Sequence, residues 1–156
     1  PLLGVRAATT EAACAELGLS TWTDPHNSED RFTRARVRHR VLPVLEAELG
    51  PGVAVALARS ADLARADADL LDDLAARELA AHGAGELDCD WLEGLPLALL
   101  TRVLRDWLRA AGATDLSATA IAAVASLVTD WHGQRWVEVP GVRIGRDRGR
   151  LAVRRG

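Results

Sequence analysis

The sequence predicts a mainly α fold, a helical bundle with a long central helix and a short C-terminal β-ribbon. Three observations carry that expectation. Apolar residues make up 49% of the chain and are mostly Ala, Leu and Val, with no Tyr and a single Phe. That composition suits close helix packing better than an aromatic-rich sandwich. From Val53 to about Ala81, Leu57, Ala61, Ala64, Ala68, Leu71, Ala75 and Leu79 recur at spacings of three and four, which predicts one long amphipathic helix. Beyond Gly133 the period changes to two, in Trp136–Val139, Val142–Ile144 and Leu151–Val153, with Pro140-Gly141 and Asp147-Arg148-Gly149 as turn signals.

The remaining elements are taken in chain order. Pro1–Val5 reads as an extended entry segment. Thr9 or Thr10 caps a short helix that runs to about Leu17, and Gly18 supplies its left-handed stop. Asp24-Pro25 initiates a turn. Asn27 or Ser28 then caps a second helix, with Glu29 and Asp30 at its positive end. That helix reaches about Leu49 and stops at Gly50-Pro51. Val37, Val41, Leu42, Val44 and Leu45 form its expected buried side, and Pro43 is expected to kink or tighten it. On the long helix, Asp62, Asp69, Asp72 and Asp73 fall off the seam, toward solvent.

Asp88–Leu92 reads as a single helical turn. Pro96 opens the next helix, which has Leu97, Leu100, Leu104 and Leu108 inward and stops at Gly112. Ser117 caps a further helix through Val128. The domain division expected from this pattern is 1–50, a linker helix and the tail of a preceding domain; 51–133, a helical domain; and 134–156, a small ribbon extension.

At 156 residues the chain can bury a sizeable core. Its net charge of −3 argues against indiscriminate nucleic-acid binding. The charge is strongly segregated, however. Residues 31–40 carry five Arg and no acid, residues 41–100 three Arg against twelve acids, and residues 101–156 ten Arg against five acids. Such patches matter more to a polyanionic partner than the total does. All 19 basic residues are Arg, an evident compositional bias, so an isolated Arg carries little weight.

Cys14 and Cys89 lie far apart without metal-ligand spacing, which predicts free buried thiols, no disulfide framework and no zinc site. No leader-like or long apolar run is present, so a cytoplasmic protein with no membrane partner is expected. The chain starts at Pro1 and holds no Met, as a segment of a longer protein would.

Among motifs, the phosphate loop, the dinucleotide glycine fingerprint and H-E-x-x-H are all missing. His26, His39, His82 and His132 are scattered and read as surface or packing residues, and Trp22 as a loop anchor in the core. The exception is the run Arg31, Arg34, Arg36, Arg38 and Arg40. An ordinary solvated helix face interleaves acids for i, i+4 pairing. Here Glu29 and Asp30 precede the run, and no acid recurs until Glu46. Guanidiniums this dense call for an anionic partner, and phosphate oxygens fit their bidentate fork.

At these residues the sequence resembles the tRNA(Ile)-lysidine synthase family. Pro1-Leu2-Leu3 is similar to the family's P-L-L segment. Trp22-x-Asp24-Pro25-x-Asn27, then Arg34 and Arg38, then Leu42-Pro43-x-Leu45, resembles its D-x-S-N … R-N-x-[IL]-R … P-x-L stretch. Two positions depart from the pattern: His26 stands for the usual Ser, and Ala35 for the usual Asn. The family's ATP-binding S-G-G-x-D-S loop has no counterpart here.

The resemblance implies the tRNA-binding portion of an ATP-dependent ligase. The parent enzyme would adenylate C2 of the wobble cytidine in the CAU anticodon of tRNA(Ile), and lysine would then displace AMP. ATP and magnesium would serve that parent; this segment alone would bind no cofactor or metal and would be inactive. Its partners would be tRNA(Ile), lysine as co-substrate and the N-terminal PP-loop domain of the parent. By the same resemblance Arg34 and Arg38 are phosphate or transition-state contacts, with Arg31, Arg36 and Arg40 also facing RNA, and Arg102, Arg105 and Arg109 are expected to touch a tRNA stem. The competing expectation is a helical protein–protein interaction module without a nucleic-acid role. A DNA-binding regulator fits poorly, because Ser60–Asp73 is acidic where a recognition helix would be basic or polar.

Overall fold

The computed structural model describes residues 4–5, 7–22, 24–83 and 85–154. The expectation of an extended Pro1–Leu3 lies outside them. The chain divides into two compact units, residues up to 60 and residues from 61 onward. The longest helix, α4 (Val53–His82), runs through that boundary.

In the first unit α1 spans Ala7–Glu16. It ends as expected: Gly18 adopts φ +65°, the Gly18 N–H donates to Ala15 O and the Leu19 N–H to Cys14 O. The second helix starts later than its cap residues suggested. Asp24 instead caps a 3-10 turn at Pro25–Asn27, and α2 begins only at Thr33 (Thr33–Arg36). Asp24 and Pro25 account for the delay, because Oδ1 of Asp24 takes the His26 N–H and the proline ring presets the tight turn.

The turn before Pro43 is widened, not tightened. Residues Val37–Val41 form a π-helical turn in which the Leu42 N–H reaches Val37 O, and α3 continues the chain at Leu42–Leu49 with Pro43 in its first turn. Pro43 has no N–H for the residue-39 carbonyl and its ring crowds that carbonyl, so the wider turn removes the conflict. Of the expected buried side, Leu42 and Leu45 are half-buried. Val37, Val41 and Val44 are exposed, and Ala35 is the buried apolar residue of this stretch. Trp22 is 80% exposed and anchors no core.

At the corner before α4, the Glu46 carboxylate accepts the N–H groups of Gly52 (2.6 Å) and Ala54 (2.8 Å), satisfying orphan donors at the helix start. Those bonds, Ala54 first, hold the Glu46 carboxyl below its usual range.

The second unit is built on a continuous apolar interior. The long seam of α4 is realised only in its later part: Ala75 is fully buried, with Leu79 packed beside it, whereas Leu57, Ala61 and Ala64 are exposed among the described residues. Next come β1 (Leu87–Asp88), α5 (Cys89–Glu93), α6 (Leu97–Ala110) and α7 (Ala118–Thr129). Asp88 caps α5 through the Asp90 and Trp91 N–H groups, and Ser117 caps α7 through that of Ala120. On α6 Leu100, Leu104 and Leu108 face inward as expected, joined by Val103 and Trp107, but Leu97 in the first turn is 70% exposed.

The expected ribbon is larger than a ribbon. Strands β2 (Val137–Val139), β3 (Val142–Asp147) and β4 (Arg150–Arg154) are joined by β1 in an antiparallel sheet of order β1-β4-β3-β2. Two residues are too few for β1 to show alternation, and it is fixed by pairing Leu87 with Leu151. Val139, Val142, Ile144 and Leu151 share the core of α6 and α7, so the strands expected to form a separate extension belong to the helical unit's interior. Among the described residues no single helix is long and apolar enough to cross a membrane.

Candidate functional site

The site in the first unit grows from the turn that delayed α2. With Pro25–Asn27 closed, Nδ1 of His26 lies 2.8 Å from Asp24 Oδ1, and Nε2 of His39 lies 3.1 Å from the Asn27 carbonyl oxygen. The second contact ties the loop to the π-helical turn. Arg36 clamps the intervening segment, donating to Asp30 O (2.7 Å), Arg31 O (3.2 Å) and Thr33 Oγ1 (3.0 Å). Asp30 also pairs with Arg40, and Glu29 with Arg31, whose guanidinium carbon lies 4.8 Å from the Phe32 ring centroid. The acids missing from the helix face are therefore supplied by the preceding loop.

That pairing separates the five arginines. Arg31, Arg36 and Arg40 are occupied within the unit. Arg34 and Arg38 make no ion pair or side-chain hydrogen bond among the described residues, and both are exposed. They stand one turn apart and line a cavity of about 200 Å³ together with His26, Asn27, Phe32 and Ala35. Two unpaired guanidiniums, an imidazole, a primary amide and an aromatic edge converge there. Such a set suits an anionic group attached to a planar one. Ala35, the departure from the family pattern, is buried beside the two arginines and lines the cavity with a methyl group where an amide is usual.

Arg102, Arg105 and Arg109, the other sequence candidates, are placed differently. Arg102 Nε and Arg105 Nη2 both reach Oδ1 of Asp72, at 2.7 and 3.0 Å, and Arg105 Nε reaches Asp106 at 3.1 Å. Arg109 lies 3.7 Å from Asp106. Asp72 was expected on the solvated face of α4, yet it bridges to α6. The hydrogen bond from Arg105, followed by that from Arg102, holds its carboxyl below the usual range. Arg102 and Arg105 are about three-quarters buried, which marks them first as struts between helices.

Sequence reasoning singled out the Asp24–Asn27 turn and the two arginines but passed over Phe32. Its signal was position: an aromatic residue immediately before the first helical residue, between two arginines of the run. Of the cysteines, Cys89 is buried as expected and its thiol is pushed up by that burial, whereas Cys14 is only half-buried. The carboxylates beside the cavity, Asp24, Glu29 and Asp30, already engage His26, Arg31 and Arg40, and among the described residues no three His, Cys, Asp or Glu converge on one point.

Comparison with known proteins places this architecture. The family model described as the TilS substrate binding domain matches residues 87–152, the segment from β1 into β4. A curated protein of Mycolicibacterium paratuberculosis is 54% identical over 149 residues, covering 92% of this chain and 47% of the relative. Proteins of Mycobacterium bovis (50%, covering 99% of this chain and 51% of the relative) and Leifsonia xyli (48%, covering 97% and 47%) match as broadly. All three are named tRNA(Ile)-lysidine synthase. The chain belongs to the tRNA(Ile)-lysidine synthase family. It spans about half the length of the curated relatives it matches. The likeness to these relatives covers nearly the whole chain, whereas the family model matches the later segment. The competing expectation of an interaction module without a nucleic-acid role is not favoured.

Proposed function

We propose that this chain is the tRNA-handling part of a lysidine synthase, whose complete form joins lysine to C2 of the wobble cytidine of tRNA(Ile) through an ATP-derived adenylate. The observation that carries the reading is the sorting of the arginines. Three of the run are satisfied internally, and the two without a partner among the described residues face one cavity beside the Phe32 ring. In that cavity Arg34 and Arg38 hold a phosphate of the RNA or of the adenylated nucleotide, and Phe32 borders the planar group attached to it. Guanidiniums without an internal partner break no ion pair when the anion arrives, and their forks match its oxygens. ATP and magnesium act in the complete enzyme, in the cytoplasm.

The test is binding of tRNA(Ile) by the full chain across a salt series. Replacing both residues, Arg34→Ala with Arg38→Ala, is expected to weaken binding on the order of tenfold at low salt. The slope of log K against log salt should flatten by roughly 0.7–0.9 per lost phosphate contact. Unchanged affinity and slope would remove the assignment, and binding only to a protein partner would favour the interaction module.

A further inference from the structure

The outer face of the sheet carries a second arginine cluster, unlike the first in having an indole at its centre. Cross-strand pairing puts Glu138 opposite Arg143 and Arg143 opposite Arg154, so these three side chains share one face. Trp136 precedes β2, and extending the pairing of Val137 with Ile144 by one step sets Trp136 opposite Gly145. A Cβ on Gly145 would stand 3.1 Å from the Arg135 carbonyl oxygen, so the missing side chain lets the Arg135–Trp136 segment lie close on β3. Trp136 is 47% exposed. The guanidinium carbons of Arg135 and Arg143 lie 5.1 and 5.8 Å from its ring centroid, within cation–π range. Arg135, Trp136, Arg143 and Arg154 together line an open cleft of about 370 Å³.

We propose that this cleft is an RNA contact separate from the Arg34–Arg38 cavity, in which an unpaired base stacks on Trp136 and its flanking phosphates lie on Arg135 and Arg154. Three arginines against one acid leave the cleft cationic. Glu138 occupies Arg143 at 2.9 Å, while Arg135 and Arg154 have no acidic partner among the described residues. An acidic peptide would match the charge but would leave the indole face without a planar partner. A nucleotide supplies anion and π-face at the spacing of one phosphate.

Trp131 and Arg146 show what a structural version of the same pair looks like. Trp131 is equally exposed, and the Arg146 guanidinium carbon lies 5.0 Å from its centroid. That guanidinium is committed to the C-terminal end of α7, donating to Leu127 O (3.0 Å) and Val128 O (3.3 Å). It serves as a helix cap through Nη1, which ties the guanidinium to backbone carbonyls.

The cleft and the Arg34–Arg38 cavity share only their class of partner, and the two assignments can fail separately. Binding of the full chain to an unstructured oligouridylate and to tRNA is measured for Trp136→Ala, Trp136→Phe, the double variant Arg135→Ala with Arg154→Ala, and Trp131→Ala as control. Thermal melting of each variant checks the fold. Trp136→Ala is expected to weaken oligouridylate binding about tenfold, while Trp136→Phe stays within about threefold because a ring remains to stack on. The double arginine variant should flatten the salt slope by about one unit or more. Oligouridylate binding unchanged in Trp136→Ala and in the double variant, with Arg34→Ala/Arg38→Ala still impaired, would overturn the cleft alone. Polyglutamate competing as well as oligouridylate, with no effect of Trp136→Ala, would make the cleft a docking site for acidic protein and likewise overturn it.

Discussion

From residue 61 onward, Leu104, Trp107, Leu127 and Ile144 share one continuous apolar interior and are essentially inaccessible to solvent, whereas among the described residues up to 60 the buried apolar residue is Ala35. The first unit is held instead by polar clamps: Asp24 on its turn, Arg36 on the loop carbonyls, Glu46 on the start of α4. The same contrast governs the arginines. On α6, Arg102 and Arg105 are spent on Asp72 and hold helices together; around α2, the loop acids satisfy Arg31 and Arg40 and leave Arg34 and Arg38 free. Helical spacing of arginines is equally visible in both places. What distinguishes a binding arginine from a strut is where the nearest carboxylate lies in space.

Four substitutions sharpen that contrast, the largest effect first. Leu104→Ala removes a fully buried side chain from the second unit's core and should cost about 2–5 kcal/mol in chemical denaturation. Arg105→Ala should cost less, about 1 kcal/mol, because Asp72 keeps Arg102, and it should leave tRNA affinity within twofold; a selective loss of RNA binding would make Arg105 an interface residue. Asp72→Asn should remove part of the acid sensitivity of folding. The Asp72 carboxyl is held below its reference value of 3.8, so its contribution is fully present above that pH and fades as pH falls through the lower folded value. Melting curves from pH 6 down to pH 3 should therefore fall less steeply for the variant. Val44→Ala, 59% exposed in the first unit, should change stability by less than about 0.5 kcal/mol, and a cost of several kcal/mol would reveal a core there.

Local chemistry was legible wherever one residue decides an element's end. Gly18 and Gly112 stop their helices at positive φ, Ser117 caps α7, and the turns at Gly141 and Gly149 fall where expected. Reading failed where the deciding partner is distant or where local options compete. Asn27 and Ser28 looked like caps, but Asp24 with Pro25 captured the turn first. Asp72 lay off the alanine seam, and its partners lie thirty or more residues onward on α6. The first half of α4 has the same small-residue period as the second, and period alone does not reveal whether a neighbour covers it. For the site, the two arginines and the turn were legible from their spacing. The occupation of Arg31, Arg36 and Arg40 was not, since it depends on how the loop folds back.

The most direct test of the central claim compares two double variants in one assay, the salt dependence of tRNA(Ile) binding by the full chain. Arg34→Ala/Arg38→Ala is expected to weaken binding about tenfold and to flatten the slope by roughly 0.7–0.9 at unchanged melting temperature, while Arg102→Ala/Arg105→Ala lowers the melting temperature and keeps the slope. The reverse pattern, with the α6 pair carrying the salt dependence and the cavity pair silent, would contradict it.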